Sequence, residues 1–235
     1  MAQVIIALDV PTLDEAMGLV DSLSDETDFY KVGLELFTRE GPSVVEALAT
    51  RDKRIFLDLK LHDIPSTVAR AVARARDLDV DFLTLHTTGG RPMMAAAAEA
   101  AGTDLTLLGV TVLTSLTASD VADSWGREVD LIEDEVVRLA RLAQESGVGG
   151  VVASVQEAAS IKEAVGSALV VVTPGIRRAG DDAHDQARVS TPAEAVASGA
   201  DYLVVGRSVT QALDPVEALR QVCAQSAGPS AVLSA

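Results

Sequence analysis

Arg54-Ile55-Phe56-Leu57-Asp58-Leu59-Lys60-Leu61-His62-Asp63 begins as a buried strand and ends in charge. Side chains alternate across a strand, so Ile55, Leu57 and Leu59 form one apolar set, and Phe56, Asp58 and Lys60 the other. In a parallel barrel the first set packs against helices and the second faces the axis. Asp58 and Lys60 are then neighbours on one inner face, about 7 Å apart by the rise of a strand. Both sit at its C-terminal end, where barrel enzymes build their sites. Asp63 follows just beyond, before Pro65 opens the next helix.

Working outward, seven more short apolar runs read as strands: 4–10, 29–33, 82–87, 105–114, 150–154, 169–173 and 202–206. They are rich in Val, Ile and Leu with little alternation, as strands buried on both faces are. Helix-like stretches lie between them, among them 14–23, 43–49, 66–77, 130–145 and 192–198. Thr12-Leu13-Asp14-Glu15 and Thr191-Pro192-Ala193-Glu194 both read as capping boxes, the second with Pro at the first helical position. Eight strand–helix units in about 230 residues predict an α/β chain folded as one (β/α)8 TIM barrel. We assign the barrel to residues 1–226 and a loose C-terminal tail to 227–235. An open doubly wound sheet is the rival, but the first strand ends in Asp9-Val10-Pro11, without a glycine-rich turn for a dinucleotide. Two connections, 115–130 and 174–190, are longer than a scaffold needs and follow strands five and seven, on the active-site face.

Composition narrows the function classes. The 235 residues are 48% hydrophobic and carry a formal charge of −16, which repels nucleic acid and anionic membrane, so neither is expected as a partner. No apolar run reaches the length of a membrane span, and the N-terminus lacks the basic start of a secretory signal. The single cysteine, Cys223, supports neither a disulfide framework nor a cysteine metal site, so a cytoplasmic protein is expected. The chain's 19 basic residues include only four lysines: Lys31, Lys53, Lys60 and Lys162. A lysine kept inside an apolar strand is then a strong signal, because arginine serves most surface roles here.

A salt bridge closing the barrel top is the structural alternative for Asp58 and Lys60, but desolvation makes buried ion pairs weak stabilisers. Flanking carboxylates favour the cationic lysine, a poor Schiff-base nucleophile but a good proton donor to a carbanion. Asp9 closes strand one and Lys31 lies in strand two, which extends the pair to an alternating array around one cavity. Strand eight runs into Gly206-Arg207, a backbone approach and a forked donor suited to phosphate. The connection after strand seven adds Arg177, Arg178, Gln186 and Arg188.

Asp58-Leu59-Lys60-Leu61-His62-Asp63-Ile64-Pro65-Ser66-Thr67 resembles the D-x-K-x-x-D-I-P-x-T signature of the orotidine 5′-monophosphate decarboxylases of bacterial type. The likeness runs along nearly the whole chain, through Ala7-Leu8-Asp9, Lys31-Val32-Gly33, His86-Thr87-Thr88-Gly89-Gly90, Leu113-Thr114-Ser115, Thr173-Pro174-Gly175-Ile176-Arg177, Asp185-Gln186-Ala187-Arg188 and Val205-Gly206-Arg207. Related barrels share D-x-K-x-x-D alone and use Mg²⁺ on sugar phosphates. Ile64-Pro65-Ser66-Thr67 and Asp185-Gln186 separate this chain from them. The resemblance implies a cofactor-free, metal-free homodimer with shared sites acting on orotidine 5′-monophosphate. Lys60 would protonate C6, and Asp58 would sit beside the substrate carboxylate and, with Lys31, hold Lys60. Asp63 and Thr67 would reach into the partner's site. Asp9 and Lys31 would bind ribose and Thr114 the pyrimidine. Arg177, Gln186, Gly206 and Arg207 would hold phosphate, under a lid formed by the loop after strand seven. His62, His86 and Trp125 are expected to be packing residues.

Overall fold

Eight apolar segments each pair in parallel with the next, and the last pairs with the first, which closes the barrel. They are β1 (Gln3–Ala7), β2 (Phe29–Val32), β3 (Arg54–Leu61), β4 (Phe82–His86), β5 (Thr106–Val110), β6 (Gly150–Val152), β7 (Val170–Thr173) and β8 (Tyr202–Val205). This computed structural model describes residues 2–23, 25–178 and 190–227. The helices between strands are α1 (Leu13–Ser22), α2 (Leu34–Glu40), α3 (Ser43–Ala49), α4 (Pro65–Arg76), α5 (Gly90–Ala101), α6 (Ala118–Trp125), α7 (Ile132–Glu145), α8 (Val155–Val165) and α9 (Pro192–Ala197). After β8 come a short α10 (Arg207–Thr210) and α11 (Pro215–Ser226). The chain is therefore the (β/α)8 barrel that its strand pattern predicts. No described helix is long and apolar enough to cross a membrane.

The two faces of each strand do separate jobs. Ile5, Phe29, Phe56, Phe82, Leu108, Val172 and Val204 point inward and fill the axis. Ile6, Tyr30, Ile55, Leu57, Leu83 and Leu203 point outward into the larger core beneath the helices. This alternation is what delivers Asp58 to the axis, two residues beyond Phe56.

Lys60 arrives by a different route from the regular alternation expected of it. The β3–β4 ladder pairs Phe56 with Phe82 and Leu57 with Leu83, then resumes at Leu61 with Leu85. Asp58, Leu59 and Lys60 thus bulge opposite the single residue Thr84, and Lys60 takes a left-handed φ of 50°. Such bulges turn a strand end and re-aim its side chains.

Other differences lie at element ends. Strand five stops at Val110, short of the expected 114, because the following residues leave the ladder for the barrel mouth. The 115–130 stretch is not a plain loop: it contains α6, whose start carries a reciprocal capping box between Thr117 and Asp120. The Thr191–Glu194 box forms in full, with Pro192 in the first turn. The one at Thr12 forms by half: its hydroxyl accepts from the Glu15 N–H, while Glu15 bonds the hydroxyl rather than the Thr12 backbone. Ala227 caps α11, and the rest of the proposed tail lies outside the described residues.

Candidate active site

The charged residues converge as the strand ends predict. Lys60 Nζ lies 2.8 Å from both carboxylate oxygens of Asp58. Lys31, from β2, donates to Asp9 Oδ1 at 2.9 Å and stands 3.8 Å from Asp58 Oδ2. The Lys31 and Asp58 side chains are 10% and 13% exposed, so this contact is largely desolvated, whereas Asp9 is 57% exposed at the rim. Short range and low exposure strengthen the attraction at Asp58, while desolvation offsets much of its net contribution to stability. Thr84, in β4, carries no sequence signal of a site, because threonine in a strand is an ordinary β-branched packing residue. It is fully buried, donates its hydroxyl to Asp58 Oδ1 at 2.8 Å and accepts the Lys60 N–H at 2.9 Å.

The four charged groups form one wall of a cavity of about 550 Å³ at the C-terminal mouth. Asp9, Lys31, Asp58 and Lys60 lie on the β1–β3 side. Arg177, Gly206 and Arg207 line it from β7 and β8, and Thr114 lines it from the segment after β5. Val110, Val152 and Val204 give it an apolar floor. A cavity with a charge-balanced Asp–Lys array on one side, two arginines on the other and an apolar floor between suits an amphipathic anion with phosphate at the arginine end. Gly175, at φ 81°, makes the turn that a side chain would strain and lets the Arg177 N–H bond Ser190 O at 2.9 Å. Arg177 is buried, and its guanidinium donates to Ile176 O at 3.0 Å. Arg178 lies outside the cavity lining and donates to Gln221 of α11 at 3.4 Å.

Two expected site residues stand apart from this cluster. Asp63 is exposed, outside the cavity lining, and its Oδ1 accepts the Ile64 N–H at 2.6 Å. Thr67 lies in the first turn of α4, within 3.4 Å of Arg70. Ile64 between them is 63% exposed, an unusual apolar exposure in a segment this charged. Gln186 and Arg188 lie outside the described residues. His62 and His86 meet at a tilt of 40° with ring centroids 5.4 Å apart, and His62 is exposed rather than the packed residue expected, because it lies just past the end of β3. Burial holds His86 below the usual histidine value, helped by His62 and Lys60 and opposed by Asp58. Trp125 ends α6 and packs on the core, under the Arg127 guanidinium.

The fold and this mouth define a class: a (β/α)8-barrel enzyme with an Asp–Lys array at the strand ends. The chain belongs to the orotidine 5′-phosphate decarboxylase / HUMPS family, whose model matches residues 2–222. It is 47% identical over 228 residues to an orotidine 5′-phosphate decarboxylase of Gloeothece citriformis, covering 96% of this chain and 97% of that one. One from Neisseria meningitidis serogroup A is 49% identical over 223 residues, covering 93% and 90%. The crystal structure of orotidine 5′-phosphate decarboxylase from Lactobacillus acidophilus matches with a TM-score of 0.85 at 34% identity, over 96% of this chain and 99% of that one.

Proposed function

We propose that this protein decarboxylates orotidine 5′-monophosphate to uridine 5′-monophosphate and CO₂, the last step of de novo pyrimidine nucleotide synthesis. One observation carries the reading: a lysine ammonium bonded to both oxygens of an aspartate, across one cavity from Gly206 and two arginines. The relatives named above supply the substrate. In the reaction the bond from C6 to the carboxylate breaks, its electron pair stays on C6, and Lys60 gives its proton there. Solvent then reprotonates the lysine.

The carbanion has no electron sink, so the site must favour the transition state over the ground state. Asp58 beside the substrate carboxylate is unfavourable until CO₂ leaves. The Lys60 ammonium becomes more favourable as charge grows on C6. Arg177, Gly206, Arg207 and Gln186 would hold the phosphate, and binding energy there offsets the crowding at the other end. Asp9 and Lys31 would hold the ribose and Thr114 the pyrimidine. Asp63 and Thr67 lie outside their own cavity's lining, and exposed Ile64 beside them suits an interface. We assign both to a second copy's site, in a homodimer that works in the cytoplasm without metal or organic cofactor.

A Lys60→Ala enzyme assayed without metal tests the proton donor. Decarboxylation should fall by at least about 1,000-fold with the fold intact, since both acid and charge stabilisation are lost. Substantial residual turnover, or wild-type turnover that required added Mg²⁺, would count against the reading. Mixing Lys60→Ala with Asp63→Ala subunits should restore part of the activity, because one site of each heterodimer is then whole. No recovery after demonstrated subunit exchange would remove Asp63 from the partner's site.

A further inference from the structure

We propose that Thr84 is a positioning residue for the reaction: its hydroxyl fixes the Asp58 carboxylate and the bulged backbone that carries Lys60. The inference deepens the decarboxylase reading and rests on it for its kinetic test. Thr84 occupies the β4 position opposite the β3 bulge, on the same inner face as Phe82. The bulge takes the Lys60 N–H out of the β3–β4 ladder, and a buried N–H needs an acceptor. The Thr84 oxygen supplies it at 2.9 Å. That bond leaves the hydroxyl proton only one useful direction, toward Asp58 Oδ1 at 2.8 Å. The polarity is forced at both ends, because an amide N–H only donates and a carboxylate only accepts.

The other contacts on Asp58 are ammonium groups at the ends of long side chains, Lys60 and Lys31. Those heads must shift when substrate enters and a proton leaves. Thr84 is neutral, β-branched and seated in a strand, so its contact holds while theirs change. It has no exposed surface, so water has no ready route to replace the hydroxyl. Lys60 also sits at φ 50°, a conformation unfavourable for a side-chain-bearing residue, and the Thr84 bond helps to hold it there.

Thr84→Val keeps the shape and removes the hydroxyl, and Thr84→Ser keeps the hydroxyl. The valine variant should lose about 10- to 100-fold in kcat, the scale of a misplaced catalytic group, with KM and uridine 5′-monophosphate binding little changed. The serine variant should recover most of that loss. With only four lysines in the chain, the Lys60 side-chain NMR resonance is assignable by its absence in Lys60→Ala. It should move in Thr84→Val and hold its place in Thr84→Ser. If Thr84→Val fails to fold, Thr84→Ala carries the same readouts. A valine variant with near-normal kcat and an unmoved Lys60 resonance overturns the proposal, as does a loss that serine fails to restore. A wild-type protein that leaves orotidine 5′-monophosphate untouched sinks the substrate assignment instead, and the Lys60 resonance then still decides the role of Thr84.

Discussion

A Cβ at Gly33 would lie 3.0 Å from Lys31 Nζ and 3.3 Å from Asp9 Oδ1. Gly33 has φ −93°, so alanine is not strained there, and the conflict is with the ion pair alone. Both crowded atoms end side chains that can give way, so the array rather than the fold absorbs the intrusion. Gly33→Ala should lower kcat/KM by about 10-fold or more, because displaced charges lose their alignment, while the melting temperature stays close to wild type. Steady-state kinetics and thermal denaturation together check this, and a parallel loss of stability would mean that the backbone had moved. Lys31, Asp58 and Lys60 stood out because charge inside an apolar strand is costly and rarely structural. Thr84 did not, because threonine in a strand is ordinary, and only the bulge across from it makes its hydroxyl matter.

At the scale of elements, all eight strands were legible, since buried parallel strands announce themselves as apolar runs. The bulge in β3 was not, because it comes from pairing register, which one strand's composition does not encode. Nor was α6, whose Ser, Thr and Asp residues read as loop until capping and packing fix them. A second link in that region was also hidden. Glu135 is buried in the first turn of α7, yet it accepts from Arg127 at 2.6 Å and from Arg138, whose Nε lies at 2.9 Å. Arg127 in turn stacks over Trp125 at 5.3 Å, so Glu135 ties α6 to α7. Burial pushes the Glu135 carboxyl up, but hydrogen bonds from Arg138 and Arg127 outweigh it, and the net shift is downward from 4.5. A carboxylate depressed in the folded state adds stability above its unfolded value, and that stability is lost as pH falls through the folded one. Glu135→Gln should therefore destabilise by about 1–2 kcal/mol at neutral pH, a modest figure because both arginines are half exposed. The gap between variant and wild type should close as the pH is lowered below 4.5. Urea denaturation across that range is the check, and a gap that stayed constant would take the stabilisation away from the Glu135 charge.

Over the whole molecule, the barrel interior divides into two layers with different tasks. The upper layer is the charged mouth. The lower one is aromatic: Phe82 meets Phe29 at 5.2 Å, Tyr202 at 5.0 Å and Phe56 at 6.0 Å between ring centroids. Beneath it Arg54 lies 4.0 Å over the Phe29 ring and bonds Asp81 and Gln3, which seals the far end. Phe56 belongs to both layers, since it packs in the aromatic set and also lines the active-site cavity. Phe82 touches only the lower one among these, which makes it the cleaner probe of how far the layers are coupled. Phe82→Ala removes a nearly fully buried ring and its edge-on contacts, a loss of about 3–5 kcal/mol. If the lower layer only carries stability, kcat at a temperature well below unfolding should stay within about 2-fold of wild type, since the bonds that align Asp58 and Lys60 lie above it. Denaturant melts and turnover measured on one preparation decide the matter. A kcat that fell with stability would mean that the β4 strand transmits the repacking from Phe82 to Thr84, two residues along the same inner face.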